Sequence, residues 1–263
     1  MEYAIANVSV IPLRREPEHR SEMVSQILFG ECFRILEQRK NWCHVVLEYD
    51  GYEGWLDIRM TQRIEADKIL QTGQPGLRYT SCIYNTVKLM ETGSSFTVPI
   101  GSSLPFYSEK ERTFKLGDDL FLLNEGEVHP VVEEKNLRQS IVADAMKYLR
   151  SPYLWGGRGP MGIDCSGFTQ VVYKLSGIVI PRDASVQAKL GEEVKVPEEA
   201  LPGDLAFFAN AGGKTVHVGL LLGNGRIIHA SGRVRIDFID HAGILNVETH
   251  EYSHHLQWIK KII

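Results

Sequence analysis

Cys165, His217 and His229 are the residues of this chain whose types and settings could carry chemistry together. In the stretch SPYLWGGRGPMGIDCSGFTQVVYKLSG, a glycine-rich loop runs into Asp164-Cys165-Ser166-Gly167, after which Phe168, Val171, Val172 and Leu175 recur at helical spacing until Gly177 stops the pattern. Cys165 is therefore expected at a helix start, where unpaired backbone N–H groups and the positive end of the helix dipole favour thiolate over thiol and can cradle an oxyanion. A buried cysteine acting as a small hydrophobe is the competing reading. Thiol hydrolysis also needs a base that holds and returns a proton, and a third group that fixes the base's ring.

The two histidines stand on candidate strands, His217 in TVHVGLLLG and His229 in RIIHAS, joined by Gly223-Asn224-Gly225. Val216, Val218, Leu220 and Leu222 alternate as a buried face, which sends His217 to the other side, towards a cleft or solvent. Strand parity then makes a demand on the turn. A two-residue type I′ turn at Asn224-Gly225 would put His229 on the wrong surface, whereas a three-residue loop lets Leu222 face Arg226 and makes His229 a diagonal neighbour of His217. The second register is the one expected. Surface or structural histidines, or a Cys–His–His zinc trio, are the alternatives. A lone cysteine at a helix start suits a nucleophile better than a metal ligand. His19, His44, His129, His241, His250, His254 and His255 receive no role, and the HEYSHH cluster reads as solvated.

These residues must be positioned by the rest of a 263-residue chain of ordinary globular composition. A net charge of -4 with no basic stripe argues against nucleic acid as a partner. No apolar run reaches the roughly 18 residues of a membrane span. The first residues lack the pattern of a secretory leader, and the four cysteines show no disulfide-dense or metal-type spacing. A cytosolic protein, monomeric and without cofactor, is expected.

In chain order, short strands are predicted at Val8 to Leu13, Met23 to Phe29, Cys32 to Glu37, Trp42 to Tyr49 and Gly54 to Ile58, a pattern that suits a small barrel over residues 1–64. A second run of strands, 65–136, includes TVPIGSSLPFY, TFKLGDDLFLL and EVHPVV. Asn136 is a candidate cap for a helix with Leu137, Ile141, Val142, Ala145, Met146 and Leu149 on one stripe, ended at Ser151-Pro152. Residues 137–263 then read as helices followed by antiparallel strands, an α+β domain with a helix-borne nucleophile facing a sheet.

Taken in order, SPYLWGG, GIDCSGF, IPRDAS, PGDLAFF and HVGLLLGNGRIIHAS resemble the signature of the NlpC/p60 family of papain-like cysteine peptidases. The order MVSQILFGECFRILEQRKNWCHVVLEYDGYEGWLD resembles a bacterial SH3-like domain, and 65–136 resembles a second, degenerate one. The resemblance implies a papain-like α+β domain preceded by two all-β SH3-like barrels. It implies Cys165 as nucleophile, His217 as base, His229 as the third member, and Tyr153 with the Cys165 N–H as oxyanion donors. Within the family, two SH3-like modules ahead of the peptidase most resemble the γ-D-glutamyl-L-diamino acid endopeptidase branch. That branch cuts the bond between γ-D-Glu and L-Lys or diaminopimelate in cell-wall muropeptides with a free N-terminal L-Ala, in peptidoglycan recycling. The free ammonium would be met by Glu22 and Tyr52 from the first domain and by Asp164, Ser166 and Asp183 from the catalytic domain. An amidase or acyltransferase on another substrate, or a non-catalytic wall-binding adaptor, are the functions this reading competes with.

Overall fold

Alternating apolar residues and tight turns make strands of most of the first 64 residues. In the computed structural model, which describes residues 2–66 and 77–263, these are β1 (Glu2–Ala6), β2 (Val10–Arg14), β3 (Met23–Leu28), β4 (Cys32–Arg39), β5 (Trp42–Leu47), β6 (Glu53–Asp57) and β7 (Thr61–Ile64). They form one sheet in the order β3-β2-β6-β5-β4-β1-β7, the SH3-like barrel. Ile11, Leu13, Ile27, Phe33, Val45 and Leu56 fill its core. The sequence pattern missed β1 and β7, which pair with each other through Tyr3↔Ile64 and Ala4↔Arg63. Small residues in AIA and polar ones in TQRI hide the alternation that marks the other five.

A four-stranded sheet follows, built from β8 (Tyr84–Leu89), β9 (Ser95–Pro99), β10 (Thr113–Leu116) and β11 (Asp119–Glu125) in the order β9-β8-β11-β10. Phe29 meets Phe96, Phe114 and Phe121 edge-on at 5.6, 5.9 and 5.6 Å between ring centroids. The predicted EVHPVV strand is reduced to an isolated bridge between Thr80 and Val128, and residues 67–76 of the second predicted module lie outside the described residues.

Contacts divide the chain into two compact units, residues 1–130 with Trp155–Pro160, and Val131–Leu154 with Met161–Ile263. Arg158, fully buried in the first unit, donates from Nη1 and Nη2 to the Glu31 carboxylate at 2.7 and 2.9 Å and from Nη1 to the Gln26 carbonyl at 2.9 Å. Glu31 also accepts the Leu28 N–H at 2.9 Å.

In the second unit, α1 (Leu137–Lys147) buries Ile141, Asp144 and Ala145. Asn136 precedes it in a 3₁₀ turn and makes no side-chain cap bond, and Met146 and Leu149 of the expected stripe are exposed. The helix α2 (Cys165–Leu175) has the predicted bounds, with every residue buried. Two of its polar members bond inside: Gln170 Nε2 donates to the Ile180 carbonyl at 3.1 Å, and Thr169 Oγ1 to Gln187 Oε1 at 2.8 Å. A short helix α3 spans Ala184–Gln187. The strands β12 (Leu205–Ala209), β13 (Thr215–Gly223), β14 (Arg226–Ser231), β15 (Arg233–Ile239), β16 (Gly243–Leu245) and β17 (Tyr252–Lys261) lie in the order β17-β12-β13-β14-β15-β16, and pairing of β16 with β17 closes the ring. Antiparallel strands behind these helices give the expected α+β architecture.

Candidate active site

Cys165 is the first residue of α2, and Asp164 caps the helix by accepting the Gly167 N–H at 2.7 Å. Asp164 does more than cap. Both of its carboxylate oxygens accept from Arg182, Oδ1 at 3.0 Å and Oδ2 at 2.6 Å, while Ser166 Oγ accepts from Arg182 Nη1 at 2.9 Å and donates to Asp164 Oδ1 at 3.3 Å. Arg182, buried like its partners, is a site residue that sequence reasoning missed, although it stands within IPRDAS beside Asp183. Asp183 itself is exposed at the start of α3 and makes no side-chain cap bond.

The thiolate expectation is corrected by the surroundings of the sulfur. Burial pushes the Cys165 thiol up to about 12, with the Asp164 carboxylate adding to the rise; the Val218 and Ser166 N–H groups and Arg182 oppose it without reversing it. The helix start is present, yet desolvation wins. The hydrogen bond from Val218 also places the sulfur against β13, one residue from His217. The alkylation rate of Cys165 by iodoacetamide in the free protein is therefore expected to climb by about tenfold per pH unit from about pH 6 to about pH 10. A plateau near neutral pH, read by mass spectrometry of the modified peptide, would instead reveal a preformed thiolate.

Tyr153 belongs to the same cluster. Burial, with the Cys165 and Asp164 charges, raises its phenol to about 12, so the O–H stays a donor throughout the neutral range.

The histidines meet, by a route different from the expected one. Gly219 faces His229 and Leu220 faces Ile228, the register that brings the two imidazoles onto one surface. The connection is nevertheless a two-residue turn, with Asn224 and Gly225 both at positive φ (53° and 64°), and Gly223 faces Arg226. A bulge between Leu221 and Gly223 corrects the parity. Gly219 leaves the room His229 needs, since a Cβ there would lie 2.9 Å from the His229 Cβ.

Within this register His217 Nε2 lies 2.8 Å from His229 Nδ1, and the rings meet edge-on with centroids 5.0 Å apart. His229 Nε2 is in turn 2.9 Å from Asp237 Oδ2. His217 is buried, not turned to solvent, and it is Val216 of the expected apolar face that is exposed. The other correction concerns HEYSHH. His254 of that cluster stacks on His217 at 4.1 Å and 24°, and comes within 6.0 Å of the Phe208 ring. Burial, then the neighbouring His229 and His254, hold His217 well below its usual value; burial and His229 bring His254 down to about 4. A neutral imidazole beside a neutral thiol is the resting state this describes. Burial would raise the Asp237 carboxyl, but donors from His229, the Val247 N–H and Arg235 outweigh it and hold the group well below the usual carboxylate range.

Of the residues expected from the first domain, Glu22 accepts from Trp155 Nε1 at 2.8 Å and pairs with Arg15 at 2.9 Å, and Tyr52 packs half-buried against the barrel core. Both belong to the first unit, whereas Tyr153, Asp164, Cys165, Ser166, Asp183, His217 and His229 all belong to the second. Among the described residues no group of His, Cys, Asp or Glu is arranged to hold a metal ion, and no helix is long and apolar enough to cross a membrane.

The chain is similar to known proteins in sequence and in fold. Residues 150–254 match the NlpC/P60 family and residues 13–59 the bacterial dipeptidyl-peptidase Sh3 domain. The gamma-D-glutamyl-L-lysine dipeptidyl-peptidase of Bacillus subtilis (strain 168) is 30% identical over 220 residues, which are 78% of this chain and 71% of that one. The dipeptidyl-peptidase 6 of Lysinibacillus sphaericus is 29% identical over 251 residues, 87% of each chain. The crystal structure of an NlpC/P60 family protein from Bacillus cereus ATCC 10987 superposes with a TM-score of 0.81 at 22% identity, covering 99% of both chains, a likeness of fold. With a cysteine at a helix start beside a strand that carries one of two hydrogen-bonded histidines, and relatives matching along most of its length, the chain belongs to the NlpC/P60 family of cysteine peptidases.

Proposed function

We propose that this protein hydrolyses the bond between γ-D-Glu and an L-diamino acid in cell-wall peptides that carry a free N-terminal L-Ala, releasing L-Ala-γ-D-Glu. The reading draws on the relatives named for that dipeptidyl-peptidase activity, and the observation that carries the chemistry is the 2.8 Å contact between His217 and His229, beside the strand whose Val218 N–H reaches the Cys165 sulfur. In this mechanism His217 Nδ1 takes the thiol proton as the sulfur adds to the γ-carbonyl carbon. The Tyr153 O–H and the Cys165 N–H hold the resulting oxyanion. His217 then returns the proton to the departing amine as the C–N bond breaks, leaving a thioester. Water, deprotonated by the same nitrogen, attacks the thioester, and the released thiolate recovers its proton.

The substrate's ammonium is assigned to the Asp183 and Asp164 carboxylates and the Ser166 hydroxyl, because a charged amine must be met by carboxylate or dipole when it leaves water, while Arg182, itself a cation, holds Asp164 and Ser166 in place. A free amine requirement selects peptides already released from glycan, so the same reading places the enzyme in recycling of wall peptides in the cytosol. The test is mass spectrometry of L-Ala-γ-D-Glu-L-Lys and its diaminopimelate counterpart incubated with the full chain. Release of L-Ala-γ-D-Glu, lost when the alanine is N-acetylated, is the expected result; intact peptide, or equal cleavage of the acetylated form, would refute it.

A further inference from the structure

Asp237 was invisible to motif reasoning, yet it closes a line of three polar groups that runs away from Cys165 across three consecutive strands, His217 on β13, His229 on β14 and Asp237 on β15. We propose that Asp237 is a positioning residue that sets the tautomer of both histidines, and through them leaves the catalytic nitrogen of His217 unprotonated. The inference rests on the proposed reaction for its kinetic consequence, not for its structural one.

The logic follows from which atoms can donate. An ionised carboxylate only accepts, so His229 Nε2, 2.9 Å from Asp237 Oδ2, carries a proton. A neutral imidazole has one N–H, and His229 Nδ1 must then be an acceptor. His217 Nε2, 2.8 Å away, is accordingly the donor, and the only lone pair left on the His217 ring is at Nδ1. That nitrogen is the one free to take the thiol proton. The carboxylate is itself held in place. Its Oδ1 accepts the Val247 N–H at 2.9 Å and Arg235 Nη2 at 3.0 Å, Arg235 Nε lies 2.7 Å from Oδ2, and Arg235 reaches on to Asn246 Oδ1 at 2.8 Å and Glu248 Oε2 at 3.0 Å. Asp237 is 1% exposed, so water cannot substitute for it. The low carboxyl pKa described above agrees with an acceptor that stays ionised while His217 gains and loses its proton.

Asp237→Asn is the discriminating change. With the amide oxygen kept towards the Val247 N–H and Arg235 Nη2, its NH₂ meets Arg235 Nε and His229 Nε2; His229 Nε2 must become an acceptor, the proton moves to His229 Nδ1, and His217 is forced to carry its own on Nδ1, where the base should be. The experiment has two readouts. The ¹⁵N shifts of the two rings in the full-length wild-type protein are expected to show protonated Nε2 and bare Nδ1 on both; a protonated Nδ1 on His229 overturns the proposal, whether or not any variant folds. Hydrolysis of L-Ala-γ-D-Glu-L-Lys by Asp237→Asn is expected to lose about 100-fold in kcat with KM within about twofold, since the contacts to substrate are untouched. A kcat within about threefold of wild type overturns it. Failure of the peptide as a substrate for wild type would leave the ring tautomers as the deciding measurement, so the two readings fail separately.

Discussion

Replacing Cys165 by alanine is expected to lower hydrolysis of L-Ala-γ-D-Glu-L-Lys by at least about 10⁴-fold while leaving the fold intact. The sulfur is the one atom removed, and without a thiol no thioester can form; what remains is whatever the oxyanion donors and substrate alignment give to direct attack by water. The scaffold depends on it little, since the Val218 and Ser166 N–H groups lose only a weak sulfur acceptor. The Asp164 cap, the bonds of Asp164 and Ser166 with Arg182, and the His217–His229 contact all stay in Cys165→Ala. The shift in unfolding free energy should therefore stay below about 1 kcal/mol. Single-turnover assays followed by mass spectrometry, paired with a thermal melt, measure both. Residual turnover above about one hundredth of wild type would mean that another group is the nucleophile.

The largest stability effect is expected from Glu31→Gln in the first unit. The pair it breaks is dry: Arg158 is 0% exposed and Glu31 3%. The attraction of such a pair does little more than offset the cost of desolvating both ions, so its net worth is small, but removal of one partner strands a guanidinium that cannot lose its proton. Burial acts to lower the Arg158 pKa, and Glu31, through its charge and hydrogen bonds, reverses that. Without the Glu31 charge only the smaller effects of Asp50 and Tyr49 oppose the burial cost. Glu31→Gln should destabilise the first unit by about 3–5 kcal/mol and bring its melting midpoint down by on the order of 10 °C. The double change Glu31→Leu with Arg158→Met should cost much less, because nothing charged is left behind. Urea unfolding followed by circular dichroism checks both. Equal losses in the single and double variants would show that volume rather than charge governs this site.

What the sequence displayed and what it hid follow a physical line. The helix from Cys165 to Leu175 was legible because a capping carboxylate, a 3.6-residue apolar period and a terminal glycine all agree locally. His217 and His229 were legible because strand parity ties each position to a surface, even though the turn that keeps them in step is shorter than expected and hands the correction to a bulge. His254 was not. Its strand, YSHHLQWIKK, is half exposed and has no clean alternation, so nothing local distinguishes the histidine that stacks on His217 from the one beside it. Asp237 and Arg182 were hidden for a related reason. A charged residue reads as solvated unless its partner is known, and their partners, His229 with Arg235 and Asp164 with Ser166, are supplied by the fold. The same blindness covers the thiol: a helix terminus can be read from letters, while the desolvation that outweighs it needs the packed interior.

The bulge beside Leu222 has a bearing on how relatives of this chain should be judged. A hairpin tip that loses or gains a single residue would keep cysteine and both imidazoles in the inventory, yet turn one ring to the opposite side of the sheet, so an enzyme could be silenced by an edit that touches none of its reactive atoms. Counting the spacing between the two rings is therefore as informative about competence as finding the letters themselves.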